Sequence, residues 1–227
     1  KKREINTSAS RHFKHRSKKY AKVIFFTFLI LQNINLYSQN ISQKKWNSNN
    51  FDLVFLELDF TDNLTVNKSI SNNICVKYKQ EGEFKEKTIL KTTIKNKELN
   101  IQEIASPTSK SYNDKLSVHK TTANSIEVSI PISFKTIIKT RFCNINIMSS
   151  FSDINIMIDD GKINLNQNKI KGEIKSISAN IFCINPFSKL LVSSKAGFVS
   201  GLSNSSVMPN LVIRTIRGDI SDECFIN

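Results

Sequence analysis

Asp159 and Asp160 stand side by side immediately before Gly161, and Asp153, Asp219, Asp222 and Glu223 lie in neighbouring stretches. Two carboxylates converging on one bond can divide acid and base roles on a polysaccharide, and several on one side of a turn can hold Ca2+. Both chemistries need convergence. Counted from the small residues Gly161 and Gly218, the pair falls at −2 and −1, Asp153 at −8 and Asp219 at +1. Side chains at such different phases form no column, so they are expected to be solvated turn acids. Beyond residue 38 the histidine is His119, in a loop with no serine or cysteine motif to partner it as a nucleophile system. Cys75, Cys143, Cys183 and Cys224 show no C-x-x-C or Cys/His cluster for zinc. No residue is therefore assigned a catalytic, cofactor-binding or metal-binding role, and no cofactor is expected.

What must position these groups is a repeat. Cys143, Gly161, Ala179, Gly197 and Gly218 are spaced by 18, 18, 18 and 21 residues. Five residues before each stand Ile138, Ile156, Ile174, Val192 and Ile213, and two after each stand Ile145, Ile163, Ile181, Val199 and Ile220. β-Branched residues at fixed phases around a small residue are the signature of stacked parallel coils, each too poor in apolar residues to bury a core alone. The unequal offsets shift the inward alternation across the small residue, as at a corner between two strands. Asn144, Asn146, Asn155, Asn164, Asn166 and Asn180 fall between inward positions and are expected to point outward. Cys143 and Cys183 would lie two stacking steps apart, about 10 Å of rise, beyond the roughly 7 Å limit for a disulfide. Buried free thiols are expected instead.

The formal charge of +14 suggests a nucleic-acid binder until its distribution is read. Nine basic residues and one acid lie before residue 39, leaving +6 for the rest, with both signs interspersed. No recognition-helix or paired-aromatic pattern accompanies it, so nucleic acid is not an expected partner. The basic stretch Lys14 to Lys22 precedes the nine-residue apolar run Val23 to Leu31 and a polar segment ending Leu36-Tyr37-Ser38-Gln39. That order reads as a secretory signal peptide cut after Ser38, because nine apolar residues are too few to span a bilayer. No membrane span is expected in the mature chain.

From Phe51 onward the pattern is β, apart from Pro107 to Asn124, which has no periodicity and holds a loop. Phe51, Leu53 and Phe55 alternate, then Leu56, Leu58 and Phe60 with shifted parity, and Leu64 to Val66 and Ile74 to Tyr78 follow. Thr88 to Thr93 and Leu99 to Ile104 read as a hairpin turning through Lys95-Asn96-Lys97. The expected fold is all-β: a parallel β-solenoid of about five coils of 18–21 residues, capped by an N-terminal, mostly antiparallel β region. The expected divisions are residues 1–38 as leader, 39–125 as cap and 126–227 as repeats. A cap is needed because the first coil would otherwise expose an unpaired edge. At the other end Asp222 and Glu223 are placed to act as charged gatekeepers.

The leader ending Leu36-Tyr-Ser-Gln-Asn40, the segments Gln80-Glu-Gly-Glu-Phe84 and Asp114-Lys-Leu-Ser-Val-His-Lys120, and the coils from Phe134 to Ile220 together resemble the adhesin-like β-solenoid proteins of Gram-negative bacteria, the head-GIN-domain and auto-transporter-adhesin-like family. The chain departs from that family's glycine-rich corners at Cys143 and Ala179. The resemblance implies an exported, non-enzymatic protein of the periplasm or cell surface that binds a glycan, a surface or an envelope protein. A structural envelope protein, a filament of stacked solenoids and a carbohydrate-active β-helix enzyme are the alternatives. Fold alone does not choose among them.

Overall fold

The computed structural model describes residues 40–82, 88–107, 122–167, 169–183, 189–205 and 207–222. The leader, the His119 loop, Glu223 and Cys224 lie outside these residues. Among those described, the elements are strands and one three-residue 3-10 turn, Ser48–Asn50. The strands are β1 (Asn40–Asn47), β2 (Leu53–Leu58), β3 (Asn63–Lys68), β4 (Asn73–Gly82), β5 (Thr88–Lys95), β6 (Glu98–Ala105), β7 (Thr122–Ile130), β8 (Lys135–Ile147), β9 (Phe151–Leu165), β10 (Ile170–Ser176), β11 (Asn180–Cys183), β12 (Leu190–Ser194), β13 (Val199–Ser200), β14 (Leu211–Thr215) and β15 (Ile220–Ser221).

All join one open 15-stranded sheet of mixed parallel and antiparallel pairing. Its connections resolve into two rows that share β8 and β9. The first row runs β5-β6-β2-β8-β9-β10-β14-β12, and the second β1-β4-β7-β3-β8-β9-β11-β15-β13. Pairing is antiparallel at β1–β4, β4–β7 and β5–β6 and parallel elsewhere. β8 and β9 can serve both rows because each turns a corner mid-strand. In β8 the exposed Arg141 and Phe142 stand together between buried Thr140 and Cys143, which is the parity change expected there.

The apolar phases stack as the repeat requires. In the first row Ile138 pairs with Ile156 and Ile156 with Ile174; in the second Ile145 pairs with Ile163 and Ile163 with Ile181. These six side chains are 0–1% exposed and belong to one core. Burying each large aliphatic side chain stabilises the fold by roughly 1.5–3 kcal/mol, so the columns are its principal support.

The stacking order departs from the sequential one. Ile174 pairs with Ile213, and Ile213 with Val192, so β14 lies between β10 and β12. The second row repeats the exchange, with Ile181 against Ile220 and Ile220 against Val199. The cause lies in the long 21-residue interval. After β13 the chain turns back over the open edge of β12: Ser205 N–H donates to the Leu190 carbonyl at 2.8 Å, and Val192 N–H donates to Asn204 Oδ1 at 2.6 Å. Asn210 then bonds Lys189 on one side and Gly172 on the other, placing β14 in the gap. That edge is thus protected by Asn204 and Ser205, and of the expected gatekeepers Asp222 is exposed at the end of β15.

The N-terminal region is less antiparallel than expected. β2 and β3 are parallel to β8, with Leu56 against Ile138 and Leu64 against Ile145, so they extend both columns. Ile101 and Ile126 continue them outward. The inward set of β2 is Val54, Leu56 and Leu58, continuing from Phe51, whereas Leu53 and Phe55 face outward and Phe60 is exposed. The β5–β6 hairpin forms as read, with Asn96 and Lys97 both at positive φ in its two-residue turn.

The corners explain the small anchors. Gly161 lies beside Cys143 at φ +128, and a Cβ there would collide with the Cys143 carbonyl. At Gly218 a Cβ would meet the Ala179 carbonyl, and at Gly197 that of Gly218, in the exchanged order. Three residues before three of the anchors a hydroxyl accepts the anchor's N–H: Ser176 from Ala179 at 2.7 Å, Thr215 from Gly218 at 2.9 Å and Ser194 from Gly197 at 2.9 Å. This side-chain-to-backbone bond satisfies a donor that the corner removes from the ladder.

Candidate functional site

Three of the candidate acids, Asp160, Asp153 and Asp219, accept hydrogen bonds from three different partners. Asp160 Oδ1 accepts the Gly161 N–H, Asp153 Oδ1 accepts from Asn155 Nδ2, and Asp219 Oδ1 accepts the Phe198 N–H. Each is engaged in its own turn or with a near neighbour. No group of three His, Cys, Asp or Glu side chains suited to a metal occurs among the described residues. Cys143 and Cys183 are buried free thiols, and burial pushes the pKa of each up to about 12. Such thiols are poor nucleophiles.

A buried polar cluster that no sequence motif marks lies between the rows. Glu103 follows Leu99 and Ile101 in the inward alternation of β6 and is 3% exposed. Its Oε2 accepts from the Phe60 N–H at 2.8 Å and the Thr61 hydroxyl at 3.0 Å, and its Oε1 from the Tyr78 hydroxyl at 2.8 Å and Asn124 Nδ2 at 3.4 Å. Thr88 and Gln80 complete the cluster around the Tyr78 hydroxyl. Burial, opposed by these donors, raises the Glu103 pKa, and burial likewise raises that of Tyr78. The Tyr78–Thr88 bond can run in either direction, so the chain of hydroxyls can host Glu103 with or without its proton. Having its partners inside the protein, the cluster holds the 59–62 corner. The signal was the alternation itself, which made Glu103 and Gln80 inward polar residues.

The outer face of the second row is exposed or half-exposed. Two adjacent outward columns cross it, Asn63–Asn144–Lys162–Asn180 and Thr65–Asn146–Asn164–Phe182. The alternating residues Leu64, Ile145, Ile163 and Ile181 are fully buried, which fixes the outward direction of these columns. Asn164 Nδ2 donates to Asn146 Oδ1 at 2.7 Å, and Asn144 Nδ2 to Asn63 Oδ1 at 3.4 Å. Asn180 Oδ1 accepts the Asp219 N–H at 3.0 Å. The asparagines expected to face outward do so. Towards β1 the columns run into a shallow groove of about 320 Å³ whose walls include Ile41, Asn63, Thr65, Lys79 and Ser125. Its cations are paired, Lys77 with Glu127 at 3.1 Å and Lys79 with Glu81. By contrast, the outer face of the first row carries charged pairs, Lys139 with Glu57 and both Lys175 and Arg214 with Glu173.

Neither protein-family models nor curated proteins match the sequence. Solved structures do match its fold. A crystal structure named "putative cell adhesion protein" from Clostridium sporogenes superposes with a TM-score of 0.50 at 17% identity, covering 81% of this chain and 98% of that one. A "putative adhesin" from Bacteroides fragilis matches with a TM-score of 0.37 at 12% identity, covering 82% and 98% of the two chains. The likeness to the first is one of fold.

Proposed function

We propose that this chain is an exported, non-enzymatic, adhesin-like protein whose rungs stack as a β-solenoid and whose second-row outer face contacts a partner at the cell envelope. The observation that carries the reading is two hydrogen-bonded amide pairs on adjacent outward columns, Asn63–Asn144 and Asn146–Asn164, with Lys162 and Asn180 continuing the first column, beside a groove and on a face whose inward side is fully buried. The fold shared with the Clostridium sporogenes protein, named for cell adhesion, supports it. Residues 1–38 are read as the export leader. Catalysis would need two groups of separated pKa converging on one bond, whereas Asp153, Asp160 and Asp219 each bond within their own surroundings.

The test is retention: beads carrying the chain should hold native bacterial or host surfaces, and the protein recovered from its own envelope should begin near Gln39. A cytoplasmic protein with an intact leader, or beads that hold nothing, would contradict the proposal. One observation favours a structural role instead. Phe198 is 80% and Met208 87% exposed near the terminal rung, apolar surface suited to end-to-end packing. Concentration-dependent filaments in sedimentation would decide for it.

A further inference from the structure

Building on that binding reading, we propose that the column Thr65–Asn146–Asn164–Phe182, with its neighbour Asn63–Asn144, takes an uncharged oligosaccharide laid along the stacking direction. The amides are already ordered by one another: Asn164 donates to Asn146, and Asn144 to Asn63. A carboxamide has two N–H donors and an oxygen with two lone pairs. The ladder occupies one donor of Asn164 and one lone pair of Asn146, leaving donors and acceptors to face outward. A ligand rich in hydroxyls, each both donor and acceptor, satisfies that mixture where a purely anionic or purely cationic one does not. Ordered amides also lose little freedom on binding.

The spacing is favourable. Successive rungs stand about 4.8 Å apart, comparable to the length of one pyranose, so consecutive sugars meet consecutive amides. Phe182 stands next to Asn164 in the same column and is half-buried with its outward phase, offering a ring for the C–H face of a sugar. At the other end of the column the groove walled by Ile41, Thr65 and Ser125 can receive the terminal unit. Charge on this face is nearly balanced. Lys77 and Lys79 are neutralised by Glu127 and Glu81, and Asn67 also bonds Glu127, while the exposed Lys162 between Asn144 and Asn180 is a single cation with no ion pair among the described residues. One cation beside a row of amides is not the cluster of positive charges that a carboxylated or sulfated chain would pair with. An extended peptide adding to a sheet needs an unpaired strand edge, whereas this is a sheet face whose internal strands are paired on both sides.

The test uses the full chain, screened on a glycan array and then titrated by calorimetry with cello-, xylo-, manno- and chito-tetraose, beside Asn146→Ala/Asn164→Ala and Phe182→Ala. At least one neutral tetraose should bind, at least ten-fold more weakly in both variants, with the melting temperature nearly unchanged; Lys139→Ala, on the other face, should bind as the parent does. The same chain is tested for retention of native surfaces before and after periodate cleavage of their sugar diols. Retention that survives periodate, or is displaced by heparan sulfate but by no neutral sugar, overturns the oligosaccharide while leaving the binding reading intact. No retention and no tetraose binding overturns both.

Discussion

The exchanged order of the last rungs makes a sharp prediction for Ile213 and Val192. Ile213 is fully buried between Ile174 and Val192, whereas Val192, 5% exposed, has a strand partner on one side and the Asn204–Ser205 segment on the other. Ile213→Ala removes three carbons, about 2.4 kcal/mol of transfer free energy at about 0.8 per carbon. The cavity left between two fixed neighbours brings the cost to about 3–4 kcal/mol. Val192→Ala removes two carbons at a terminal rung that can relax, and should cost about 1–2 kcal/mol. For a domain of this size each kcal/mol lowers Tm by about 2–4 °C. Urea unfolding followed by circular dichroism should give unfolding free energies that differ by about 2 kcal/mol between the two variants, read from their midpoints at constant m. Equal costs, or a larger cost at Val192, would refute the exchanged order and restore sequential stacking.

Gly161→Ala should destabilise by about 2–4 kcal/mol, because it adds a Cβ at φ +128 against the Cys143 carbonyl, while Ala179→Gly should cost only about 0.5–1; thermal melts of the two variants check this. Burial raises the Glu103 pKa, so its protonated form suits the fold better. Its stabilising share is therefore present below the ordinary carboxylate value and is lost as pH rises through the raised one. Glu103→Gln should be less stable than the parent at low pH, by about 1–3 kcal/mol for mismatched donors, and lose less stability on going to neutral pH, as read from unfolding midpoints across pH. Cys143 and Cys183, with pKa values near 12, should resist alkylation at pH 8 until the chain is unfolded, while half-exposed Cys75 reacts in the native state; mass spectrometry of the modified peptides distinguishes them.

The periodicity of the sequence made the inward phases, the small corners and the outward asparagines readable, because stacking demands the same side-chain type at the same phase in every rung. It did not reveal which rung touches which. Ile174 is satisfied equally by Val192 or by Ile213, since both are β-branched and of similar width. The choice was made by residues 201–210, whose polar sequence carries no period. β2 and β3 were missed as rungs for a related reason. Leu56 and Leu64 are eight residues apart where Ile138 and Ile145 are seven, and the extra corner residue is held by Glu103 through the Phe60 N–H and the Thr61 hydroxyl. A carboxylate 43 residues away in sequence leaves no local mark on the spacing. The outer face was half legible: the asparagines were visible, but not that Phe182 joins their column or that Lys77 and Lys79 of the groove are paired.

The second-row outer face is separated most directly from the first by retention of native surfaces on beads, comparing Asn146→Ala/Asn164→Ala with Lys139→Ala/Lys175→Ala. Both pairs lie on outward positions, so both proteins should melt close to the parent. Retention lost in the asparagine variant and kept in the lysine variant is the predicted result. Equal retention in both, or loss in the lysine variant alone, would contradict a binding role for the amide face.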